Sequence, residues 1–254
     1  MNSKKGQVTI FIIVAVLIVI AFVLFFVLRS KIGIISPDIF NENPEGYIDH
    51  CLKPKLEEAV DLVSKQGGYI QPVLFKTFEN ESIAYLCYQE NFYLSCINQE
   101  SVLIQHLKDE IKGYIDAEMN DCFNEMKSDY EEEGNSVTLG LLDYDIVLES
   151  AKVIVDMRRE VTINYADETK QLNSFQSILR NPLYDLAIVA QEINNQEARF
   201  CSFNQEGFML LYSSFDIDKL RLGEGTTIYT IADKKSGEFF RFAVRSCVLP
   251  PGIG

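Results

Sequence analysis

The feature that most constrains this chain is an uninterrupted apolar stretch near its start. Residues 8–28, VTIFIIVAVLIVIAFVLFFVL, carry no charge over 21 positions. As a helix at about 1.5 Å per residue, they reach about 31 Å, the hydrocarbon thickness of a bilayer. A helix buried in a soluble domain normally keeps a polar stripe, and this stretch has none. The sequence therefore predicts a transmembrane helix over residues 7–29 that contacts lipid through residues 8–28.

The end of the stretch indicates that this helix is retained. A cleaved secretory signal has a shorter apolar core followed by small residues. Here the core instead runs through Phe25 and Phe26 to Leu28 and then Arg29. We therefore expect the helix to anchor the protein or to associate with copies of itself.

The residues before the stretch carry a resemblance to a known class of signal. Lys4-Lys5-Gly6-Gln7 directly abuts the apolar run, and this arrangement resembles an archaeal class III (prepilin-type) signal. The resemblance implies cleavage between Gly6 and Gln7, after the basic leader 1–6, with the apolar helix kept as an anchor or a filament core. Many pilins have Glu at the fifth mature position, where this chain has Phe11. More loosely, the whole chain resembles single-span surface proteins of small archaea.

Charge and cysteine content indicate where the rest of the chain works. Lys and Arg number 23 against 37 Asp and Glu, a net charge of −14, so nucleic acid is excluded as a partner because phosphate contacts need a basic face. All six cysteines follow the apolar stretch, which suits up to three disulfides in an oxidising exterior, although buried apolar thiols are an equal alternative. Basic residues flank the stretch on both sides, so the cysteines decide the orientation: the N-terminus in the cytoplasm and the body outside.

The remaining pattern predicts an α+β fold with mainly antiparallel sheet. Amphipathic helices are expected from about Pro44 to Gly67-Gly68, over 101–128, and after an N-cap at Asn181-Pro182. In the first of these, Pro54 should kink the helix or move its start to about residue 53. Strands are expected between 69 and 97, in alternating segments from 146 to 165 with turns at Glu149-Ser150 and Arg158-Arg159, and at 171–179, 208–212, 220–222, 226–231 and 239–244.

The chain is expected to divide into five regions. They are a leader (1–6), a transmembrane helix (7–29), a stalk (30–45), a helix-rich region with short strands (46–135) and a β-rich region with one helix (136–254).

Three cysteine pairs are suggested by this layout, although six cysteines allow 15 pairings. A turn at Glu90-Asn91 brings Cys87 towards Cys96. The tetrapeptide Gly-Tyr-Ile-Asp occurs at 46–49 and 113–116, each time with a cysteine on the Tyr face further along, so Cys51 and Cys122 would meet if the two helices pack. Cys247 follows the last hairpin, where it could reach Cys201.

Motifs of known chemistry are missing from the sequence. It has no G-x-S-x-G elbow, phosphate loop or dinucleotide fingerprint. With no C-x-x-C, and only His50 and His106 as further soft ligands, a zinc site is not expected. The alternate carboxylates Asp143 and Asp145 could share an ion, but solvation of a strand edge is the simpler interpretation. We therefore expect no catalytic residue, cofactor or metal.

These observations predict a non-catalytic, single-pass membrane protein with an extracytoplasmic body. A pilin-like surface or filament component is the sharper form of this hypothesis. The alternatives are an extracytoplasmic hydrolase and an accessory subunit of a membrane complex.

Overall fold

The computed structural model describes residues 43–250. The expected leader 1–6 with its cleavage site at Gly6 and Gln7, the transmembrane helix 7–29, and the stalk up to residue 42 lie outside the described residues. Within residues 43–250, no helix combines the length and apolar character that a bilayer span requires. The chain from Glu45 onward forms one compact unit of mixed α+β structure.

The described part contains four helices. They are α1 (Pro44–Lys65), α2 (Leu103–Glu132), α3 (Leu183–Phe200) and α4 (Gln205–Leu211). A helix start near residue 53 is wrong, because α1 runs from Pro44 through Pro54, which faces solvent while Leu52 and Leu56 on either side are buried. The helix ends at Lys65, and Gly67 and Gly68 follow at positive φ, as their permissive backbone favours.

The second and third helices differ from expectation at one end each. The sequence predicts the second helix only to residue 128, but α2 runs to Glu132 because buried Tyr130 continues its apolar stripe four positions after Met126. The expected N-cap at Asn181 is also wrong. The capping residue of α3 is Pro182, without a side-chain cap, and the Asn181 N–H donates to the Ala151 carbonyl instead.

Within the described residues, ten strands form two sheets. Their ranges are β1 Phe75–Phe78, β2 Glu81–Tyr88, β3 Ile97–Asn98, β4 Ser136–Leu139, β5 Asp143–Glu149, β6 Lys152–Asn164, β7 Thr169–Leu179, β8 Phe215–Arg221, β9 Thr227–Asp233 and β10 Phe239–Arg245. One sheet has the order β1-β2-β10-β9-β8, with β3 also paired to β2. In the other sheet, β6 pairs with β4, β5 and β7. All pairs are antiparallel except β2 with β10, so the prediction of mainly antiparallel sheet is confirmed.

The turn expected at Arg158-Arg159 is replaced by a continuous strand. β6 runs through this point, and its register with β7 shifts between Arg158 and Val161. Such a shift is typical of a bulge, in which extra residues bend a strand without ending it. At this bulge the Arg159 guanidinium donates a hydrogen bond from Nε to the Gly140 carbonyl at 3.0 Å.

The strand expected over 208–212 is a helix. Asn204 caps α4 by accepting a hydrogen bond from the Gly207 N–H at 3.0 Å. A short apolar run has no period that separates a strand from a helical turn, and here the cap decides. The described part of the β-rich region, residues 136–250, therefore contains two helices, α3 and α4, rather than one.

Helix α3 lies at the centre of the body. It contacts β2, β3, β9 and β10 of one sheet, β5 and β6 of the other, and α2. One continuous buried cluster draws on residues from both predicted regions, from Ile48 in α1 to Val244 in β10. The change in composition near residue 135 therefore does not divide two cores.

Candidate functional site

Three disulfides connect distant parts of the body. They join the pairs that the sequence suggested: Cys51–Cys122, Cys87–Cys96 and Cys201–Cys247, separated by 71, 9 and 46 positions. The first links α1 to α2 and the second links β2 to the segment before β3. The third links the C-cap of α3 to the residues after β10. The described chain has no free cysteine.

The two Gly-Tyr-Ile-Asp segments lie on the helices that the first disulfide joins. Tyr47 of α1 donates a hydrogen bond to Asp129 of α2 at 2.7 Å. The tyrosine of the second segment, Tyr114 of α2, contacts α1 in turn: the Lys55 ammonium lies 4.2 Å from the centre of its ring. These contacts lie on either side of the disulfide, so they fix the register in which the two helices pack.

A polar cluster lies where α3 meets the sheet of β8 and β9. Glu197 of α3 is buried, and its Oε1 accepts hydrogen bonds from the Tyr229 hydroxyl and from Lys219 Nζ at 3.3 Å. Lys219 also donates to the Phe203 carbonyl at 3.2 Å. Burial, reinforced by the charge and hydrogen bond of Glu197, raises the pKa of Tyr229 well above its usual range.

A cavity of about 280 Å³ opens beside this cluster, and its wall includes Glu197, Arg221, Ser246 and the Cys201–Cys247 disulfide. The Ser246 hydroxyl donates to the backbone carbonyl of Glu197 at 3.1 Å rather than to its carboxylate. Both hydrogen bonds that the Glu197 carboxylate accepts come from side chains of the body, Tyr229 and Lys219. A general base must instead reach the proton of a substrate. We therefore interpret the cluster as a buried connection between α3, β8 and β9.

Sequence reasoning missed Glu197, although a signal was present. Leu186, Ala190, Ile193 and Glu197 step by three or four along α3, so Glu197 lies on the buried stripe of the helix. A charged residue on such a stripe requires a partner. The identity of that partner depends on tertiary packing, because Lys219 and Tyr229 belong to strands further along the chain.

The other candidates for chemistry are separate from this cluster. His50 is exposed, whereas His106 is mostly buried, with its Nδ1 3.8 Å from Glu100 and its ring 4.3 Å from that of Tyr69. Asp143 and Asp145 do lie side by side, but Arg158 pairs with both, at 2.7 and 3.6 Å. This pairing agrees with a solvated strand edge.

One group in the described chain has the geometry of a metal site. It comprises Cys51, Glu118 and Cys122. The two sulfur atoms form a disulfide, and a metal needs thiolates. This group therefore does not fit a metal while the disulfide is intact.

Comparisons with protein-family models, with curated proteins and with solved structures found no match.

Proposed function

We propose that this chain is a membrane-anchored extracytoplasmic protein whose disulfide-bonded body has a structural or binding role. In this proposal the apolar stretch 8–28 holds the chain in the bilayer, the N-terminus is cytoplasmic and the body lies outside. The observation that carries the proposal is the use of all six cysteines in three disulfides. Stable disulfides form in oxidising compartments and are rare in the cytosol.

A non-catalytic role is supported by how the polar groups of the body are used. Glu197 is engaged with Lys219 and Tyr229, and Asp143 with Arg158. In both places the charged groups are paired with one another across elements of the fold. These pairings give the charged side chains a structural role that does not require a catalytic reaction.

Fractionation of the full-length chain tests the anchor. The chain should stay with membranes through alkaline and high-salt washes and should be released by detergent, because the apolar stretch is long enough to span. A matched variant that lacks residues 8–28 should appear in the soluble cytosolic fraction with its cysteines reduced, because it is no longer exported to an oxidising compartment. A tag at the C-terminus should be removed by protease added to intact cells. Release of the full-length chain by salt, or a protected tag, contradicts the proposal.

The resemblance to a prepilin-type signal supports a more specific form of the proposal. In this form the leader is removed after Gly6, and the apolar helix packs against copies of itself in a filament. Intact mass should then give a chain that begins at Gln7, and sheared filaments should contain the protein. An unprocessed chain that is found only in detergent extracts contradicts the filament.

A second candidate, an accessory subunit of a membrane complex, is favoured by a rigid apolar surface beside the second disulfide. Tyr93, Leu94 and Ile97 are 58%, 51% and 65% exposed. Tyr93 and Leu94 lie in the loop closed by Cys87–Cys96, and Ile97 follows it in β3. The loop is bonded to the segment after β10, through Tyr93 N–H to the Val248 carbonyl at 3.0 Å. Clustered exposed apolar side chains mark interaction surfaces.

The mass of the detergent-solubilised particle tests this candidate. It should exceed the mass of one chain with its detergent, and Leu94→Asp should reduce it to that value. Leu141→Asp is the matched control, because Leu141 is 95% exposed and belongs to the other sheet region. A particle of one chain before any substitution contradicts the candidate.

A further inference from the structure

A groove between α3 and α4 has the size and shape of a small-molecule site. Its volume is about 600 Å³, within the range of ligand pockets. The link between the two helices begins at Cys201, which the disulfide to Cys247 fixes to the segment after β10. Because both walls are held by the fold, the groove is formed before any ligand arrives.

Aromatic rings dominate the walls of the groove. The four rings are those of Tyr184, Phe208, Tyr212 and Phe215. The Phe208 and Tyr212 rings pack against each other at 4.5 Å, and Phe208 rests on Phe203 at 5.5 Å. Tyr212 remains 53% exposed, so its ring is accessible from the groove side. A cation is attracted to the face of such rings by their quadrupole.

Two carboxylates supply the charge of the groove. Asp185 and Glu192 lie on α3, seven positions apart, which places them on one face about 10 Å from each other along the axis. Asp185 accepts hydrogen bonds from Ser150 and the Ala151 N–H, and Glu192 accepts one from Gln196. Within residues 43–250 neither has a salt-bridge partner, and no Lys or Arg lines the groove.

Aliphatic side chains complete the site. Val189 forms part of its wall, and Ile188 and Leu211 stand at its mouth with 43% and 81% of their surface exposed. Burial of this surface against an alkyl group is favourable. Rings, uncompensated carboxylates and aliphatic walls thus occur together in one groove.

We propose that this groove binds a small organic cation, a quaternary ammonium group that carries a short aliphatic body. The ammonium contacts the rings and the carboxylates, and the aliphatic body packs against Val189 and Leu211. An anion is repelled by Asp185 and Glu192 and by the net charge of −14. A neutral molecule of the same shape gains the apolar contact but not the attraction to the rings and carboxylates. This site goes beyond the proposed anchoring role and does not depend on it.

The charge of the ligand is tested with three probes that share a four-carbon chain: butyltrimethylammonium, butanol and butyl sulfate. The full-length chain is kept in an uncharged maltoside detergent, and binding is followed by the methyl resonances of Ile188 and Leu211. Butyltrimethylammonium should shift these resonances and bind about tenfold more tightly than butanol, because only it gains the cation–π and carboxylate attraction. Butyl sulfate should give no shift. Equal binding of the cation and butanol overturns the proposal.

Two variants with a matched control test the residues. Glu192→Gln should weaken butyltrimethylammonium binding about threefold and Tyr212→Leu about fivefold, whereas butanol binding should change in neither variant. Asp216→Asn removes the same charge from β8 outside the groove and should leave cation binding within about 1.5-fold of the parent. Glu192 and Tyr212 are both exposed, so neither groove substitution is expected to disturb folding. Cation binding that is unchanged in both groove variants, or equally weakened by Asp216→Asn, overturns the assignment.

Discussion

The two sheets of the body are built from contacts of different range. In the local sheet, β4 to β7, the strands lie next to one another in sequence, and β5, β6 and β7 are joined by short turns. In the long-range sheet, which contains β1, β2, β3, β8, β9 and β10, β2 lies parallel to β10, with Tyr85 opposite Ala243. Closing so long a loop costs conformational entropy before any contact forms.

The additional connections of the body are concentrated at the long-range sheet. Cys87 lies in β2, Cys247 follows β10, and Lys219 and Tyr229 hold Glu197 from β8 and β9. No disulfide of the described chain touches the local sheet. The comparison indicates that the local sheet is held without a disulfide, by packing and by hydrogen bonds such as that from the buried Ser177 hydroxyl to Asp49 at 2.6 Å. The long-range sheet has disulfides and a buried ion pair as well.

Among the links of the long-range sheet, the largest effect is expected from the disulfide next to the β2–β10 pair. The double variant Cys201→Ala, Cys247→Ala should lower the free energy of unfolding by about 4 kcal/mol, because the bridge closes a long loop in the unfolded chain. The double variant Cys87→Ala, Cys96→Ala removes a bridge that closes only a short loop, so it should lower the free energy of unfolding by about 2.5 kcal/mol. Denaturant unfolding gives both values. Hydrogen exchange should accelerate first in β2 and β10; equal acceleration in β6 would remove the distinction between the sheets.

The buried ion pair should have the next largest effect. Glu197→Gln should lower the free energy of unfolding by about 3 kcal/mol, because Lys219 is then buried without its counter-charge. The double variant with Lys219→Met should recover part of this loss, since it removes the uncompensated charge. Arg158→Ala in the local sheet, which breaks an exposed pair with Asp143, should cost less than about 1 kcal/mol and is the control. Similar losses for Glu197→Gln and Arg158→Ala would show that burial of the pair is unimportant.

Alkaline pH should weaken the long-range sheet through Tyr229. The folded pKa of Tyr229 is raised, chiefly by burial, above its unfolded value of about 10. Its stabilising contribution is therefore complete below pH 10 and is lost as pH rises, because the unfolded chain ionises first. The free energy of unfolding should fall by about 1.4 kcal/mol per pH unit for this group. Tyr229→Phe should make the fall shallower by that amount; an unchanged slope between pH 10 and 11 contradicts the assignment.

Matched core truncations should have the smallest effect and the same effect in both sheets. Ile146 in β5 and Ile231 in β9 are both buried. Ile146→Val and Ile231→Val should each lower the free energy of unfolding by about 1 kcal/mol, through lost apolar contact and a small cavity. Chemical denaturation compares the two directly. A loss more than twice as large in one sheet would mean that packing, rather than links, distinguishes them.

Sequence-based prediction succeeds where the signal is local, in either sheet. Alternation along β5, β6 and β7 and the stripe of α2 are local patterns, so these elements and the α+β class can be predicted. The bulge at Arg158 resembles a turn in the sequence because two adjacent charged residues interrupt the alternation in either case. The helix α4 resembles a strand because its apolar run is too short to show a period.

The parallel pairing of β2 with β10 could not be predicted from the residues. It leaves no periodic trace in the sequence, since the partners are far apart and each also pairs with a strand closer in sequence. The polar cluster is similar: the stripe of α3 marks Glu197 as buried, but only the fold brings Lys219 and Tyr229 to it. The organic-cation groove depends likewise on α3 and α4 meeting.

The central claim is that the chain is anchored in the membrane with a disulfide-bonded body outside the cytoplasm. Its most direct test is the thiol state of the full-length chain in the cell fraction that contains it. The membrane and soluble fractions are denatured in the presence of N-ethylmaleimide without reductant, so that buried free thiols also react, and the intact mass is measured in each. The account predicts a chain in the membrane fraction that carries no adduct, because all six cysteines are paired. A chain in the soluble cytosolic fraction with an adduct on every cysteine would contradict it.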